Sequence, residues 1–369
     1  MSISRAQLPE EFFDRTSPKL LRQPEPKYMY SALWKMAMGQ ALSLPNAIGM
    51  PGRDTPGQGA PYSSAEQDRL SIGADLGFGE IFATTVNHQG EPGHTLRFNR
   101  PLFTDSTYTQ AARQIGTNQT ISVVPIEAGS EQVSLTIKRF GGPYDNTNAR
   151  VAPYSLDNFD ASMGVHNLAQ FIGTHLQRDY DKTFDSFWVT LLDTVANDTS
   201  HIIYPDGFAA DNDVTAVRQA PLTYEQINRT ARTMDEANLP TLPDARRILV
   251  VTPTGKKQLK DDAQFARYAK EFPETNPLLS MGWFASVPEF HCFQSNTLTR
   301  TANSSSVDIH KGHAIAPGAL LAGFGKPPRV APSTDDNFGE AAKVVWISYN
   351  SLGLADARFA YQLRYGADS

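Results

Sequence analysis

Three histidines and one cysteine are the side chains of this sequence whose spacing comes nearest to a chemical site. His310 and His313 lie three residues apart and close to Asp308, a spacing at which two imidazoles can share a metal ion. No further ligand accompanies them at a suitable spacing, so the pattern favours surface or packing histidines. His291 precedes Cys292, but neighbours on a strand point to opposite faces, so the pair is badly arranged for nucleophilic catalysis.

Two glycine-rich segments come close to phosphate-binding motifs. In residues 318–326, Phe324 occupies the position at which a phosphate-binding loop requires lysine. The nearest lysine, Lys326, is followed by Pro327, whereas the motif requires serine or threonine there. Residues 77–79 lack the third glycine of a dinucleotide fingerprint, since Phe82 occupies its place. Both segments are therefore predicted to be turns. Without a nucleophile elbow or a zinc-protease helix motif, we predict no catalytic, cofactor-binding or metal-binding residues and no cofactor.

The composition is that of a folded chain without a strong charge field. Of 369 residues, 40% are hydrophobic and 20% are charged, which is usual for globular proteins. A formal charge of −6 excludes the overall basic surface that neutralises nucleic-acid phosphates. Because Cys292 is the only cysteine, no internal disulfide is predicted and folding in a reducing cytoplasm is expected. We predict neither a signal peptide nor a membrane segment, since no apolar run is long enough.

The first 75 residues are predicted to form an arm rather than a domain. A short helix is predicted at residues 28–42 between proline-punctuated stretches, and residues 45–61 are crowded with proline and glycine. Such a segment builds no core alone, so its apolar side chains need burial against other surfaces, its own or a neighbour's. These side chains are Tyr28, Met29, Leu33, Trp34, Met36 and Met38.

From about residue 80 to 145 the hydrophobic period changes to two. This alternation predicts two half-buried antiparallel strands that form a long hairpin-like excursion. A further strand is predicted at residues 120–126, and Gly141-Gly142-Pro143 is predicted to close the region as a turn. The alternating residues are Leu96 and Phe98 against Arg97 and Asn99, and Val133, Leu135 and Ile137 against Ser134, Thr136 and Lys138.

The strongest periodic signal lies at about residues 160–196. Apolar residues recur every three or four positions there, which predicts one amphipathic helix ~50 Å long. Arg178, Asp181 and Asp185 fall off the apolar stripe and are predicted to form the solvated side of the helix. The stripe consists of Val165, Leu168, Ile172, Leu176, Tyr180, Phe184, Trp188, Leu191 or Leu192, and Val195.

The rest of the chain is predicted to form an α/β unit and two closing strands. A helix at residues 224–238, a buried strand at residues 247–251 and a helix at residues 254–272, capped by Thr254, follow one another. The final β-rich runs are predicted to return to a sheet. They occupy residues 343–349 and 357–364, with a turn predicted near Gly353.

Several of these segments resemble the major capsid proteins of tailed bacteriophages. The strand and following helix resemble that family's axial domain, in residues 246–253 (Arg-Arg-Ile-Leu-Val-Val-Thr-Pro) and then Leu259, Asp261 and Phe265. The approach to the strand, a helix around residues 231–239 that ends in Pro240, is also similar. Two later stretches are similar to the segment before the family's final helix and to its closing strand pair. These are His-Ala-Ile-Ala-Pro-Gly-Ala at 313–319 and residues 348–358.

The resemblance implies an α+β fold of the Hong Kong 97 phage type. This fold has an N-terminal arm, an extended β-hairpin loop, a peripheral domain with a long spine helix, and an α/β axial domain. The expected boundaries are 1–75 for the arm, 76–155 for the extended loop and flanking strands, 156–200 for the spine helix, 201–340 for the axial domain, and 341–369 for the return strands of the peripheral domain.

The same resemblance implies a structural subunit and not an enzyme. Such a subunit assembles with itself, as hexamers and pentamers, into the icosahedral capsid that encloses viral double-stranded DNA without sequence-specific binding. A portal protein, and scaffold or decoration proteins, are the further partners implied. The expected location is the virion, after synthesis and assembly in the host cytoplasm. Two alternatives are an encapsulin-type compartment shell that encloses a cargo enzyme, and a soluble α/β enzyme without a recognisable motif.

The arm and the loop carry the predictions about assembly. Residues 1 to about 60 are expected to be mobile in the free subunit and ordered in the shell. Arg97, Arg100, Lys138 and Arg139 place four cations in the predicted loop of an acidic chain. They are either a solvated face or a contact with acidic residues of a neighbouring subunit, for example on the polar side of the spine helix.

Overall fold

The computed structural model describes residues 28–38, 76–87, 95–101, 130–145, 150–157, 168–197, 199–216, 219–269, 282–336 and 341–367. Within these ranges the helices are α1 (Met29–Met38), α2 (Leu168–Asp193), α3 (Tyr224–Glu236), α4 (Pro253–Asp261) and α5 (Ala263–Tyr268). The strands are β1 (Phe82–Asn87), β2 (Thr95–Pro101), β3 (Ser130–Thr136), β4 (Lys138–Gly142), β5 (Tyr144–Asp145), β6 (Arg150–Val151), β7 (Tyr154–Asp157), β8 (Ile202–Ile203), β9 (Arg247–Val251), β10 (Trp283–Ser286), β11 (Phe290–Gln294), β12 (Arg300–Ala302), β13 (Asp308–Ile315), β14 (Leu320–Asp336), β15 (Ala341–Leu354) and β16 (Ala360–Gly366).

Two larger sheets organise the chain. The first has the order β1-β14-β15-β4, and β7 also pairs with β15. Its centre is the long antiparallel pair of β14 and β15, which runs from Leu320 opposite Leu354 to Asp336 opposite Ala341. The second sheet has the order β10-β11-β9-β13-β16-β8, with β12 beside β13. All five residues of β9 are buried, as expected for a strand covered on both faces.

Helix α2 is the long helix that the hydrophobic stripe predicts, and we call it the spine helix. Its 26 described residues extend over ~39 Å. Residues 160–167, where the prediction begins, lie outside the described ranges. The described residues of the stripe from Leu176 onward are buried as expected, and Trp346 of β15 packs against them. The ring of Trp346 lies 5.3 Å from that of Tyr180 and 6.2 Å from that of Phe184.

Helix α1 packs on the spine helix. This confirms the short helix predicted in the arm and the prediction that its apolar side chains are buried against another surface. Met29, Tyr30, Leu33 and Trp34 are each at most 1% exposed. The ring of Trp34 lies 5.0 Å from that of Phe184 in α2. The chain itself therefore provides the surface that this part of the arm requires. Other residues of the predicted arm, at 1–27 and 39–75, are outside the described ranges.

The predicted turn at Gly141-Gly142-Pro143 is instead the end of strand β4. Gly141 and Gly142 pair with Ile347 and Trp346 of β15. A Cβ atom on Gly142 would overlap the indole of Trp346 and the carboxylate of Asp179. The glycine is needed because β15 and the spine helix approach this position closely, not because the chain turns.

The helix predicted at residues 254–272 begins earlier and breaks in the middle. Thr252, not Thr254, caps α4, because its hydroxyl accepts a hydrogen bond from the backbone N–H of Gly255 at 3.2 Å. Pro253 then occupies the first helical position, where its missing N–H costs nothing. Asp262 ends α4 and caps α5. The last three predicted residues, 270–272, lie outside the described part of the chain.

The two closing strands, which the sequence predicts to return to a single sheet, lie in different sheets. Strand β15 pairs with β14 in the five-stranded sheet, whereas β16 pairs with β13 and β8 in the seven-stranded sheet. Gly353, where a turn was expected, pairs with Leu321 inside β15. Strand β14, expected in the axial domain, joins the five-stranded sheet. Alternation within each strand is correct, but it does not specify which sheet the strand joins.

Candidate functional site

A hairpin of β2 and β3 stands apart from both larger sheets. The strands pair in antiparallel register from Thr95 opposite Thr136 to Pro101 opposite Ser130, as the alternation predicts. Among the described strands, neither pairs with a third. A two-stranded sheet is marginally stable in water, so this hairpin needs contact with another surface. The strand predicted at residues 120–126 lies outside the described ranges.

One leucine anchors the base of this hairpin. Leu135 is 5% exposed and packs with Leu321 of β14, next to Val133 and Ile137. A Cβ atom on Gly353 of β15 would overlap the Leu135 side chain, so the glycine permits the close approach. The hairpin base is therefore held on the five-stranded sheet by a small apolar contact.

The four predicted loop cations are divided between two structures. Arg97 and Arg100 lie on β2 in the hairpin. Lys138 and Arg139 lie on β4 and pair with β15, so they belong to the five-stranded sheet and not to β3, as the alternation suggested. Both residues are exposed. Lys138 and Arg139 therefore form an exposed pair of cations at the foot of the hairpin.

The described part of the spine helix offers no acidic face for those cations. Its four aspartates accept hydrogen bonds from other parts of the chain. Asp179 accepts from the Trp346 indole at 2.7 Å, and Asp181 accepts from the Ser31 hydroxyl at 2.8 Å. The exposed residues from 175 to 193 are Lys182, Ser186 and Thr190. The spine-helix acids are therefore bound within the subunit, and their contact with the loop cations of a neighbour stays a prediction.

Asp185 is fully buried, which corrects its predicted place on the solvated side. Its Oδ1 atom accepts hydrogen bonds from the backbone N–H groups of Tyr30 at 2.6 Å and Ser31 at 3.1 Å. These groups belong to the first turn of α1 and have no partner within that helix. Its Oδ2 atom accepts from the Thr297 hydroxyl and, at 3.5 Å, from the Ser295 hydroxyl. Burial raises the pKa of Asp185 to about 7, although these hydrogen bonds act to lower it.

Asp193, about two turns further along the spine helix, forms a second polar junction. Its Oδ1 atom lies 3.0 Å from Nε2 of His313, and its Oδ2 atom accepts from the Thr299 hydroxyl at 2.5 Å. Nδ1 of His313 lies 2.6 Å from the Tyr30 hydroxyl. Burial opposes ionisation of Asp193, but hydrogen bonds from His313 and Thr299 and the charge of Lys311 hold its pKa below the usual value. Together, Asp185 and Asp193 connect α1, the spine helix and the seven-stranded sheet.

A second histidine, His291, belongs to a chain of groups with the composition of a hydrolytic triad. Its Nδ1 atom lies 2.7 Å from the Ser286 hydroxyl, and its Nε2 atom lies 2.6 Å from the Asp244 carboxylate. Ser286 is 4% exposed and His291 is 2% exposed. Cys292 lies in a different apolar cluster and burial raises the pKa of its thiol, so the predicted separation of this pair is confirmed. Because Ser286 and Cys292 are both buried, a substrate cannot reach the serine hydroxyl or the cysteine thiol in this arrangement.

The other motif candidates have packing roles. Gly318 has a φ of 81° in a turn that leads into a strand, whereas a phosphate-binding loop leads into a helix. Gly77 has a φ of 75° before a short 3₁₀ helix, Phe78–Ile81, whose first residue is in the core. The ring of His310 stacks on that of Tyr365 at 5.7 Å. Within the described ranges, no three or more His, Cys, Asp or Glu residues are grouped so as to hold a metal ion.

No helix in the described ranges has the length and hydropathy needed to cross a membrane.

No family model matches the chain, and no curated protein sequence matches it. Its structure is similar to the capsid of Ralstonia phage GP4, with a TM-score of 0.58 and 12% identity over 78% of this chain and 88% of that chain. It is also similar to the capsid of cyanophage Pam1, with a TM-score of 0.57 and 10% identity over 88% of this chain and 98% of that chain. The chain has the fold of these phage capsid proteins.

A third structure supports the same assignment of the fold. The capsid of cyanophage P-SCSP1u has a TM-score of 0.53 and 15% identity over 79% of this chain and 88% of that chain. The α+β phage capsid fold expected from the sequence resemblance is therefore confirmed. The low identities explain why the resemblance depends on hydrophobic patterns and turns rather than on a signature motif.

Sequence reasoning missed the two polar junctions on the spine helix. Asp193 is the last residue of the helix, where the helix dipole disfavours a negative charge. An aspartate at this position indicates that other groups of the chain stabilise its charge. Asp185 comes one turn before Val189, which is also buried. The buried side of the helix is therefore wider than the predicted stripe, because α1 covers the flank on which Asp185 lies.

Proposed function

We propose that this chain is the major capsid protein of a tailed bacteriophage. It serves as a structural subunit, not as an enzyme, and assembles with itself into the icosahedral shell that encloses viral double-stranded DNA. The observation that carries the proposal is the fold shared with phage capsid structures over most of the chain. The net charge of −6 agrees with a wall that encloses DNA without binding it through phosphate neutralisation.

The β2–β3 hairpin supports a role in self-association. It pairs with no third described strand, and Leu135 holds its base. Contact with a neighbouring subunit would supply the surface that a two-stranded sheet requires. Lys138 and Arg139 lie at the foot of the hairpin and would lie near that contact.

We assign the parts of the subunit as follows. The five-stranded sheet and the spine helix form the peripheral domain, and the seven-stranded sheet with α3, α4 and α5 forms the axial domain. Residues 1–75 form the arm, and the β2–β3 hairpin is the extended loop. Subunits associate as hexamers and pentamers, with a portal protein and with scaffold or decoration proteins as further partners. The mature location is the virion, after synthesis in the host cytoplasm.

Size-exclusion chromatography followed by electron microscopy of the full-length chain tests this proposal. The expected result is a closed shell of megadalton mass that elutes in the void volume. A uniform small particle with no shells under any assembly condition would contradict the proposal and favour a soluble enzyme. A shell that consistently contains a co-expressed cargo enzyme would favour an encapsulin-type compartment instead.

A further inference from the structure

Asp185 is a buried ionisable group whose charge has no compensating cation among the described residues. The groups that face it are the backbone N–H groups of Tyr30 and Ser31 from α1, and the hydroxyls of Ser295 and Thr297 from the turn before β12. On its own helix, Asp181 lies one turn away and adds a second negative charge. Burial raises the pKa of the Tyr30 phenol well above its ordinary value, and the charges of Asp185 and Asp193 raise it further.

The hydrogen bonds around Asp185 can be kept in both protonation states. In the ionised state the Thr297 hydroxyl donates to Oδ2. In the neutral state Oδ2 carries the proton and donates to Thr297, whose own hydroxyl can turn to Ser295, 2.8 Å away. The N–H groups of α1 still donate to Oδ1. Protonation therefore removes the cost of a buried charge without breaking the contacts that hold the start of α1.

We propose that Asp185 is a proton-binding site that controls how tightly helix α1 is held. The neutral carboxyl clamps α1 to the spine helix and to the 295–297 turn more tightly than the ionised carboxylate does. Residues 1–27 precede α1 in the sequence, so this site also controls how firmly the end of α1 to which they are attached is fixed. The inference concerns the single subunit and does not depend on the proposed function.

The direction of the pH effect follows from the raised pKa of about 7, against an ordinary value of 3.8. The native state binds this proton more tightly than the unfolded state, so the stabilisation is complete below the ordinary value and is lost as the pH rises through about 7. Between pH 8 and pH 5, the equilibrium constant for opening of α1 should fall roughly 10- to 100-fold.

Hydrogen–deuterium exchange of residues 29–38 in the full-length chain tests the proposal, with rates corrected for intrinsic exchange at each pH. In the wild type, α1 should be more protected at pH 5 than at pH 8. Asp185→Asn, which mimics the neutral carboxyl, should be as protected at pH 8 as the wild type is at pH 5. The matched control, Asp261→Asn, removes an exposed carboxylate of α4 and should retain the wild-type response.

Three results would overturn the proposal. They are a wild type whose α1 protection is unchanged or higher at pH 8, an Asp185→Asn variant that keeps the wild-type pH response, and an Asp261→Asn variant that loses it. If Asp185→Asn does not fold, the wild-type comparison between pH 5 and pH 8, with Asp261→Asn as control, decides the question alone.

Discussion

Leu176→Asp should unfold the spine helix from its sheet. Leu176 is 0% exposed and lies in the apolar cluster that the spine helix shares with α1 and the five-stranded sheet. Truncation of such a leucine to alanine costs about 2–5 kcal/mol. An aspartate adds a further cost of several kcal/mol. This cost is either the desolvation of an unpaired carboxylate or the protonation of that carboxylate at neutral pH. Domains are stable by only about 5–15 kcal/mol, so this substitution should remove most of the stability.

The assay compares the soluble yield, circular dichroism and thermal unfolding of Leu176→Asp, Leu176→Ala and Ser186→Asp. Ser186 is an exposed residue of the same helix, so a new charge there should change stability by only about 0.5 kcal/mol. We expect Ser186→Asp to resemble the wild type, Leu176→Ala to melt at a lower temperature, and Leu176→Asp to be insoluble or unfolded. If Leu176→Asp were soluble with a wild-type melting curve, the packing of the spine helix described here would be wrong.

Three further substitutions or treatments test other parts of the structure. Gly142→Ala should lower the free energy of unfolding by about 1–3 kcal/mol, because its methyl group overlaps the Trp346 indole, and an unchanged melting curve would contradict that contact. Lys138→Glu combined with Arg139→Glu should leave the circular dichroism unchanged and reduce the yield of shells, since both side chains are exposed. Normal shells from this double variant at low and high salt would exclude an electrostatic role. Cys292 should resist thiol reagents until denaturant is added, because the side chain is 0% exposed and burial raises its pKa, whereas rapid labelling of the native protein would contradict its burial.

The elements that could be predicted from the sequence are those with a local periodic signal. The spine-helix stripe, the alternation of β2 and β3, and the apolar run of β9 each predict the element that is found. The fold class could also be predicted, because those elements occur in a characteristic order. Helix boundaries are predicted less accurately where capping decides them, as at Thr252, since Thr254 is a second candidate cap two residues later.

What could not be predicted depends on contacts between distant parts of the chain. Gly142 resembles a turn residue until the positions of Trp346 and Asp179 are known. Strands β15 and β16 are close in sequence and similar in pattern, but they join different sheets. Asp185 resembles a surface residue because its hydrogen-bond donors come from segments more than 100 residues away on either side. A single sequence carries no local signal for such partners.

Apolar contacts and hydrogen bonds have different roles on the spine helix, which explains why polar groups occur within so apolar a core. Apolar burial along the aromatic stripe is non-directional, so it does not by itself specify one position of α1 along the helix. The hydrogen bonds from Tyr30 and Ser31 to Asp185 have a narrow geometry, so they set one position for the start of α1. In the proposed shell, every subunit must direct its arm from the same place for its contacts to repeat. A buried carboxyl is a poor stabiliser, and here its value lies in fixing that position.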